Sequence, residues 1–341
     1  MQIFQIQDSS QIADARRDIL SLAGRIGFSE AERGRVGIVA TELATNLIKH
    51  GGGGALMVDT TMTNTGNMLE CISADSGRGM NNIAACLEDG YSTAGSPGTG
   101  LGAILRQANF VDIYSRPGGG TVVLTRLLPG LAPVLRDGNV YPLFNPDVQE
   151  TSWGAVCIAK PGEEVSGDSW QVRQRDDGLI MLAVDGLGHG TSAAEAARAA
   201  LQLFDKSYER PPVEILERMH AGMRHTRGAA VAIALLDHAS QTLHVAGIGN
   251  IAGTLATKEG SRRLISHNGT VGHSMRKAQQ TSYPYRSQPT VILTSDGLST
   301  SWTMDRYPGL LDHHPSTIAA VLYWDLKRST DDATALVARL I

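Results

Sequence analysis

At 341 residues, 42% of them hydrophobic and 19% charged, the chain has an ordinary globular composition and length enough for two cores. Its net charge of -4 is evenly spread: residues 1–145 hold 11 Lys/Arg and 13 Asp/Glu, leaving 19 and 21 of the 30 and 34 for the rest. The absence of a basic run argues against nucleic acid as a partner, and no apolar run is long enough to span a bilayer.

The N-terminus, MQIFQIQDSS, has no positive region before an apolar stretch and so does not read as a leader. The three cysteines, Cys71, Cys86 and Cys157, lack metal-ligand spacing and read as free, small core side chains in a reducing compartment. A soluble cytoplasmic protein is expected.

In chain order, SSQIADARRDILSLAGRI carries apolar residues at helical spacing behind a serine cap. SEAERGRVGIVATELATNLIKH opens on a capping box, Ser29 with Glu32 three residues on. The strands ALMVDTTM and NMLECISAD follow, joined by TNTG. A glycine-rich stretch, a short helix (GLGAILRQA) and the strands FVDIYS and TVVLTRLL complete the first part. This predicts an α/β sandwich over 1–128, about four strands with helices on one face. Periodicity lapses over 129–150, which contains four prolines and reads as a linker or extended crossover. Residues 151–341 are richer in strands: WGAVCIAK, DSWQVRQR, LIMLAVD, AAVAIALLD, TLHVAGIG and TVILTSD, with a hairpin at Asp176-Asp177-Gly178. Helices are expected at 191–206, 212–224 and 315–326. The fold class is therefore α/β (α+β), in two domains.

In the helix over 30–50, Val36, Val39, Ala40, Leu43 and Leu47 form a core stripe, and Glu42, Asn46 and Lys49 line one flank of it. A carboxylate and an amide beside a core stripe face either a pocket or solvent. Asp75 then ends a strand in SADSGRGM, and YSTAGSPGTGLGAI runs a glycine-rich loop into a helix, where backbone N–H groups can cradle phosphate. The run HGGGG at 50–54 suits a segment that moves or a plain loop.

These three elements resemble the GHKL ATP-binding fold, and within it the anti-sigma-factor kinases of the RsbT and RsbW type. ELATNLIKH resembles the N-box, DSGRGM the first glycine box and GSPGTGLG the second. The resemblance implies Asn46 as a Mg²⁺ ligand, Glu42 as the base or hydroxyl-orienting residue and Asp75 as the adenine reader. Gly77, Gly79, Gly98, Gly100 and Gly102 would shape the ATP pocket, with Thr99 and Lys49 touching phosphate. No histidine sits in a phosphoacceptor helix, so the acceptor would be a protein hydroxyl.

In the second part, Asp168, Asp185, Asp296 and Asp331 each stand where an apolar strand begins or ends, beside small residues. Carboxylates gathered at strand tips suit hard divalent cations. Glycine beside Asp185 and Asp296 admits close backbone approach, so the Gly186 carbonyl can also serve. Two such ions about 3.5–4 Å apart clamp a phosphoryl group and activate a bridging water. The alternative for any single aspartate is a turn residue bonded to its own backbone. His189, beside a glycine turn, is either a general acid or structural. His220 and His225, five residues apart, miss the spacing of a helical zinc pair. His313-His314 read as a solvated loop.

SGD, AVDGLGHG, SDGL and DDAT, in this order, resemble the metal-dependent type 2C serine/threonine phosphatases, most closely the SpoIIE-like and RsbX-like group. That implies a β-sandwich flanked by helices with two Mn²⁺ or Mg²⁺ ions at one end. Asp168, Asp185, Asp296 and Asp331 match the metal-ligating aspartates and Gly186 the carbonyl ligand, with Asp332 a weaker substitute for Asp331. Asp185 is the carboxylate on which turnover would depend.

Both resemblances imply bacterial partner switching, in which a kinase and a phosphatase act oppositely on a serine or threonine of a STAS-domain protein. The expected function is a metal-dependent protein phosphatase with a kinase-like ATP-binding half. The expected partners are a STAS-domain antagonist or stressosome-type protein and a sigma factor, with homodimerisation open. The alternative makes the N-terminal half a nucleotide-gated, non-catalytic partner-binding module.

Overall fold

The computed structural model describes residues 1–63, 66–87, 100–133, 135–136, 139–140, 153–286 and 288–339. They fall into two units, Met1–Thr151 and Ser152–Ile341.

The first unit runs β1 (Gln2–Ile6), α1 (Ser9–Arg25), α2 (Glu30–Gly51), β2 (Gly54–Thr63), β3 (Gly66–Asp75), α3 (Ile83–Leu87), α4 (Gly100–Gln107), β4 (Phe110–Ser115) and β5 (Thr121–Leu127). The sheet is antiparallel with order β1-β2-β3-β5-β4. It has a fifth strand, β1, that the sequence pattern did not announce. The short β1 gains its place by pairing Gln2–Ile6 along β2. The stripe expected on α2 is buried: Val36, Val39, Ala40, Leu43 and Leu47 pack with Ile19 of α1, Leu56 and Val58 of β2, and Ile104 of α4. The cap of α1 is Asp8 rather than a serine. Its carboxylate accepts from Ser10 N and Gln11 N while Gln11 reaches back to the Asp8 backbone. Within the stretch expected as a linker, β6 (Leu135–Arg136) pairs antiparallel with β7 (Asn139–Val140). Residues 141–150 lie outside the described residues.

The second unit is a sandwich. One sheet holds β9 (Asp168–Arg175), β10 (Gly178–Gly186), β11 (Ala229–Asp237), β12 (Thr242–Ile248) and β15 (Thr281–Pro284). The other holds β8 (Trp153–Ile158), β13 (Ala252–Thr257), β14 (Gly260–Leu264), β16 (Thr290–Thr294) and β17 (Ala333–Arg339). Helices α5 (Thr191–Asp205) and α6 (Pro212–Gly222) cover the first sheet, and α7 (Pro315–Leu326) packs on β8 and β17 of the second.

The unbroken apolar run of β10 has a simple cause: both of its faces are buried. Ile180, Leu182 and Val184 pack under α5 and α6, while Leu179, Met181 and Ala183 point between the sheets. β11 divides the same way, with Val231, Ile233 and Leu235 under the helices and Ala232, Ala234 and Leu236 between the sheets. Strands β13, β14, β15 and β17 escaped the sequence reading. β14 (GSRRL) has four exposed residues of its five and is held by pairing with β13 rather than by burial. Among the described residues no helix is long and apolar enough to cross a membrane.

The capping box at the start of α2 is formed. Glu32 Oε2 accepts from Ser29 N at 2.8 Å and Ser29 Oγ at 2.7 Å, and Ser29 Oγ accepts from Glu32 N at 3.4 Å. These bonds, those from Ser29 first, hold the Glu32 carboxyl below its ordinary range. A lowered folded-state value stabilises the fold above the unfolded pKa, and the gain is lost as pH falls through the lowered value. Ser29→Ala should therefore cost about 1 kcal/mol in urea unfolding at pH 7 and less at pH 3. An equal loss at both pH values would show that the Glu32 charge contributes nothing.

Candidate functional site

Asp185 ends β10 with the parity of Leu179, Met181 and Ala183, so its strand position faces the gap between the sheets. Register then does the rest. In the antiparallel pair β9–β10, Asp168 lies directly opposite Asp185. The other sheet ends in the same place: Thr294 of β16 pairs with Ala335 of β17, bringing Ser295-Asp296 beside Asp331-Asp332. Each sheet thus delivers carboxylates from two adjacent strands to one end of the sandwich.

The two Asp-Gly glycines share a physical reason, and it is not a left-handed turn, since neither has a positive φ. A Cβ on Gly186 would stand 2.2 Å from the Ala193 carbonyl oxygen of α5, and one on Gly297 would stand 1.8 Å from the Asp332 carbonyl oxygen. The first glycine lets α5 dock beside Asp185. The second lets the Asp296 turn dock on the Asp331-Asp332 segment.

The five carboxylates are held in different ways. Asp168 is 3% exposed, and its Oδ2 accepts from Ser295 Oγ at 2.6 Å, which in turn accepts from Thr334 N at 2.9 Å. Asp296 Oδ2 accepts from Asn250 Nδ2 at 2.6 Å. Asp332 is spent on structure: its two oxygens accept from Lys160 N and Gly167 N, both at 2.8 Å, closing the loop between β8 and β9. Among the described residues the Asp331 carboxylate accepts only from the adjacent Asp332 N, to its Oδ1 at 2.9 Å. The Asp185 carboxylate accepts no hydrogen bond among the described residues, and it is pushed up by burial first, then by Asp168, Asp296, Asp331 and Asp332. Asp168 is raised chiefly by burial, against the Ser295 bond, and Asp296 by burial and Asp331. Among the described residues no lysine or arginine forms an ion pair with any of the five. Nor do three His, Cys, Asp or Glu side chains close on a single point.

An all-oxygen set with uncompensated charge and unbonded lone pairs on Asp168, Asp185, Asp296 and Asp331 fits hard divalent ions. Such ions keep waters and need few protein side chains each.

In the first unit, α2 carries one cluster. A Cβ at Gly100, the first residue of α4, would lie 2.9 Å from Glu42 Oε2 and 3.5 Å from Asn46 Oδ1. The half-buried Glu42 and Asn46 therefore face the start of α4. At the C-terminal end of α2, Gly51 packs on Asp75, whose Oδ1 accepts from Gly77 N at 2.8 Å. Burial raises the Asp75 carboxyl, and the Gly77 bond opposes it. Gly79 abuts the Arg116 carbonyl, and Gly102 is buried within α4. Lys49 is exposed, its side chain making no hydrogen bond or ion pair among the described residues. Gly98 and Thr99 lie outside the described residues.

Comparison with known proteins divides the chain along the same lines. Residues 7–126 match the family model "Histidine kinase-like ATPase domain", and residues 175–341 match "Stage II sporulation protein E (SpoIIE)". The chain joins a histidine kinase-like ATPase domain to a SpoIIE domain. The serine/threonine-protein kinase RsbT of Bacillus subtilis (strain 168) is 29% identical over 119 residues, 35% of this chain and 90% of RsbT. The phosphoserine phosphatase RsbX of the same organism is 26% identical over 143 residues, 42% of this chain and 72% of RsbX. A chain in a solved structure of the bacterial stressosome, described as a modular system adapted to control secondary messenger signaling, superposes with a TM-score of 0.51 at 25% identity. The alignment covers 55% of this chain and 98% of that one. The protein is a homologue of serine/threonine phosphatases and also carries a kinase-like domain.

Several residues around the SpoIIE domain's carboxylates were not singled out in the sequence. Ser295 and Asn250 hold Asp168 and Asp296, but a lone serine and a lone asparagine carry no spacing signal. Glu163 is another: His189 Nδ1 lies 2.6 Å from Glu163 Oε1, tying the Gly188–Gly190 turn to the loop before β9. His314 is no solvated loop residue. It is 7% exposed and caps α7, its Nδ1 accepting from Ser316 N at 3.0 Å. His220 Nδ1 accepts from Gly272 N at 3.1 Å, a structural bond. The glycine run after α2 in the ATPase domain is a helix cap and a close-packed junction, with Gly52 left-handed at the C-cap. Cys71 is a core thiol, pushed up to about 12 by burial, whereas Cys86 is only half-buried.

Gly186→Ala and Gly297→Ala should each destabilise the SpoIIE domain by about 1–3 kcal/mol, since the backbone atoms they meet cannot step aside. Gly34→Ala on α2, with nothing within 4 Å, should be neutral or stabilising by up to about 1 kcal/mol. Thermal unfolding of the three variants checks this, and wild-type stability in either of the first two would contradict the docking role.

Proposed function

We propose that the SpoIIE domain is a metal-dependent phosphoserine/phosphothreonine protein phosphatase. The observation that carries this is the convergence of Asp168 and Asp185 from one sheet with Asp296 and Asp331 from the other, with no lysine or arginine ion-paired to them among the described residues. Asp168, Asp185, Asp296, Asp331 and the Gly186 carbonyl would hold two Mn²⁺ or Mg²⁺ ions. When bound, such ions supply a nucleophilic water and charge stabilisation for phosphoryl transfer. The chain's own contribution is orientation. Ser295 fixes the Asp168 carboxylate and Asn250 that of Asp296, while Asp332 keeps the loop before β9 in place. The Asp185 carboxylate, which accepts no hydrogen bond among the described residues, would keep both oxygens available to the ions.

The ATPase domain, in this reading, binds ATP with Mg²⁺ and phosphorylates a serine or threonine of the same class of partner. Asn46 would take the Mg²⁺, Glu42 would orient the acceptor hydroxyl, and Asp75 would read adenine. Gly77, Gly79, Gly98, Thr99, Gly100 and Gly102, with Lys49, would line the nucleotide. The similarities to RsbT, RsbX and a stressosome chain support a STAS-domain regulator as that partner, within partner switching.

With Mn²⁺ and a phosphoserine substrate, Asp185→Asn should lower kcat by roughly a thousandfold, about 4 kcal/mol of transition-state stabilisation. Unchanged turnover would sink the assignment. For the ATPase domain, Asp75→Asn should abolish ATP binding in calorimetry. Glu42→Ala should end phosphotransfer while leaving nucleotide binding. Phosphotransfer that survives Glu42→Ala removes its hydroxyl-orienting role.

A further inference from the structure

The geometry points to a two-arginine clamp, Arg227 and Arg328, that takes the phosphoryl group of a phosphomonoester at the carboxylate end of the SpoIIE domain. The inference rests on the phosphatase reading and names the residues that would recognise its substrate's phosphate.

Each arginine is delivered to one of the two Asp-Gly turns by its backbone. After Asp185-Gly186, Leu187 N donates to the Gly228 carbonyl at 3.0 Å, which sets Arg227 beside the turn. The turn makes room for it: a Cβ built at Gly188 would lie 3.2 Å from an Arg227 guanidinium nitrogen. After Asp296, Arg328 N donates to the Gly297 carbonyl at 2.8 Å, and Leu298 bridges to Lys327. Arg328 is near enough to act on the Asp296 charge.

Both side chains are exposed, and neither makes a side-chain hydrogen bond or an ion pair among the described residues. By contrast, Arg175 of β9 is bound to Asp177 at 2.7 Å, and Arg210, between α5 and α6, to Glu214 at 3.2 Å. What sets these two guanidiniums apart is position: each stands beside an Asp-Gly turn, without a side-chain partner among the described residues, where a ligand of the carboxylate end could meet it.

Charge supplies the reason. Two divalent ions would neutralise most of the five carboxylates, and a bound phosphomonoester dianion would add negative charge that the two guanidiniums can meet. Guanidinium forks match phosphate oxygens and remain charged at any working pH. A dianion between the two turns would gain charge-assisted hydrogen bonds from both sides, and a neutral or singly charged ester would gain less.

The test uses the full-length protein with saturating Mg²⁺ and inorganic phosphate as the probe, titrated by calorimetry. Alongside it, KM and kcat are measured for p-nitrophenyl phosphate. Arg227→Ala and Arg328→Ala should each weaken phosphate binding and raise KM by about tenfold. Mg²⁺ affinity and kcat should stay within about twofold of wild type. Arg328→Lys should recover part of the loss, and Arg210→Ala, at the opposite end of β10, should lose none.

Phosphate affinity unmoved in both alanine variants, or weakened equally by Arg210→Ala, would overturn the clamp. The same holds for a wild-type protein that binds no phosphate. The underlying reading fails separately. Arginine-dependent phosphate binding without any metal-dependent hydrolysis would keep the clamp and reject the phosphatase.

Discussion

The carboxylates of the SpoIIE domain repel one another, and much of the surrounding structure exists to hold them together. Antiparallel register fixes Asp168 opposite Asp185 and leaves no freedom to separate them without breaking the β9–β10 ladder. Burial compounds the repulsion by weakening hydration of the charged forms. The chain answers with neutral donors: a serine hydroxyl on Asp168, an asparagine amide on Asp296, two backbone N–H groups on Asp332. None of these removes charge. The net negative field that remains is the property a divalent ion would answer.

The sandwich tolerates this because its cohesion lies elsewhere. β10 and β11 are apolar on both faces, one against α5 and α6 and one against the opposing sheet. The unfavourable electrostatics are confined to one end of those strands. Glycine at 186 and 297 then allows a helix and a strand-entry segment to close in on the carboxylates, where any Cβ would meet backbone oxygen. The ATPase domain follows a related plan. Its α2 buries one stripe in the core, faces Glu42 and Asn46 toward the first residue of α4, and meets Asp75 at its C-terminal end. One chain thus joins a kinase-like domain to a SpoIIE domain.

What the sequence alone determined was local: which segments become helices and strong strands, where α2 is capped, and which acidic residues stand at strand ends. Helices expected at 191–206, 212–224 and 315–326 form at Thr191–Asp205, Pro212–Gly222 and Pro315–Leu326. These follow from periodicity and capping, which act within a few residues. The motif DGLGHG was equally legible, because close backbone approach at Gly186 restricts residue choice. Tertiary structure decided the rest. Strand β14 exists because a neighbour offers hydrogen bonds, not because its own side chains bury, and β1 pairs along β2 while sinking Ile6 into the core. Asp331 and Asp332 are adjacent and chemically identical, yet only the fold commits Asp332 to the Lys160 and Gly167 amides. Ser295, Asn250 and Glu163 carried no spacing signal, since their partners lie tens of residues away along the chain. Sequence pattern records short-range geometry, whereas the charge balance of a site is set by which distant segments the core brings to the same end.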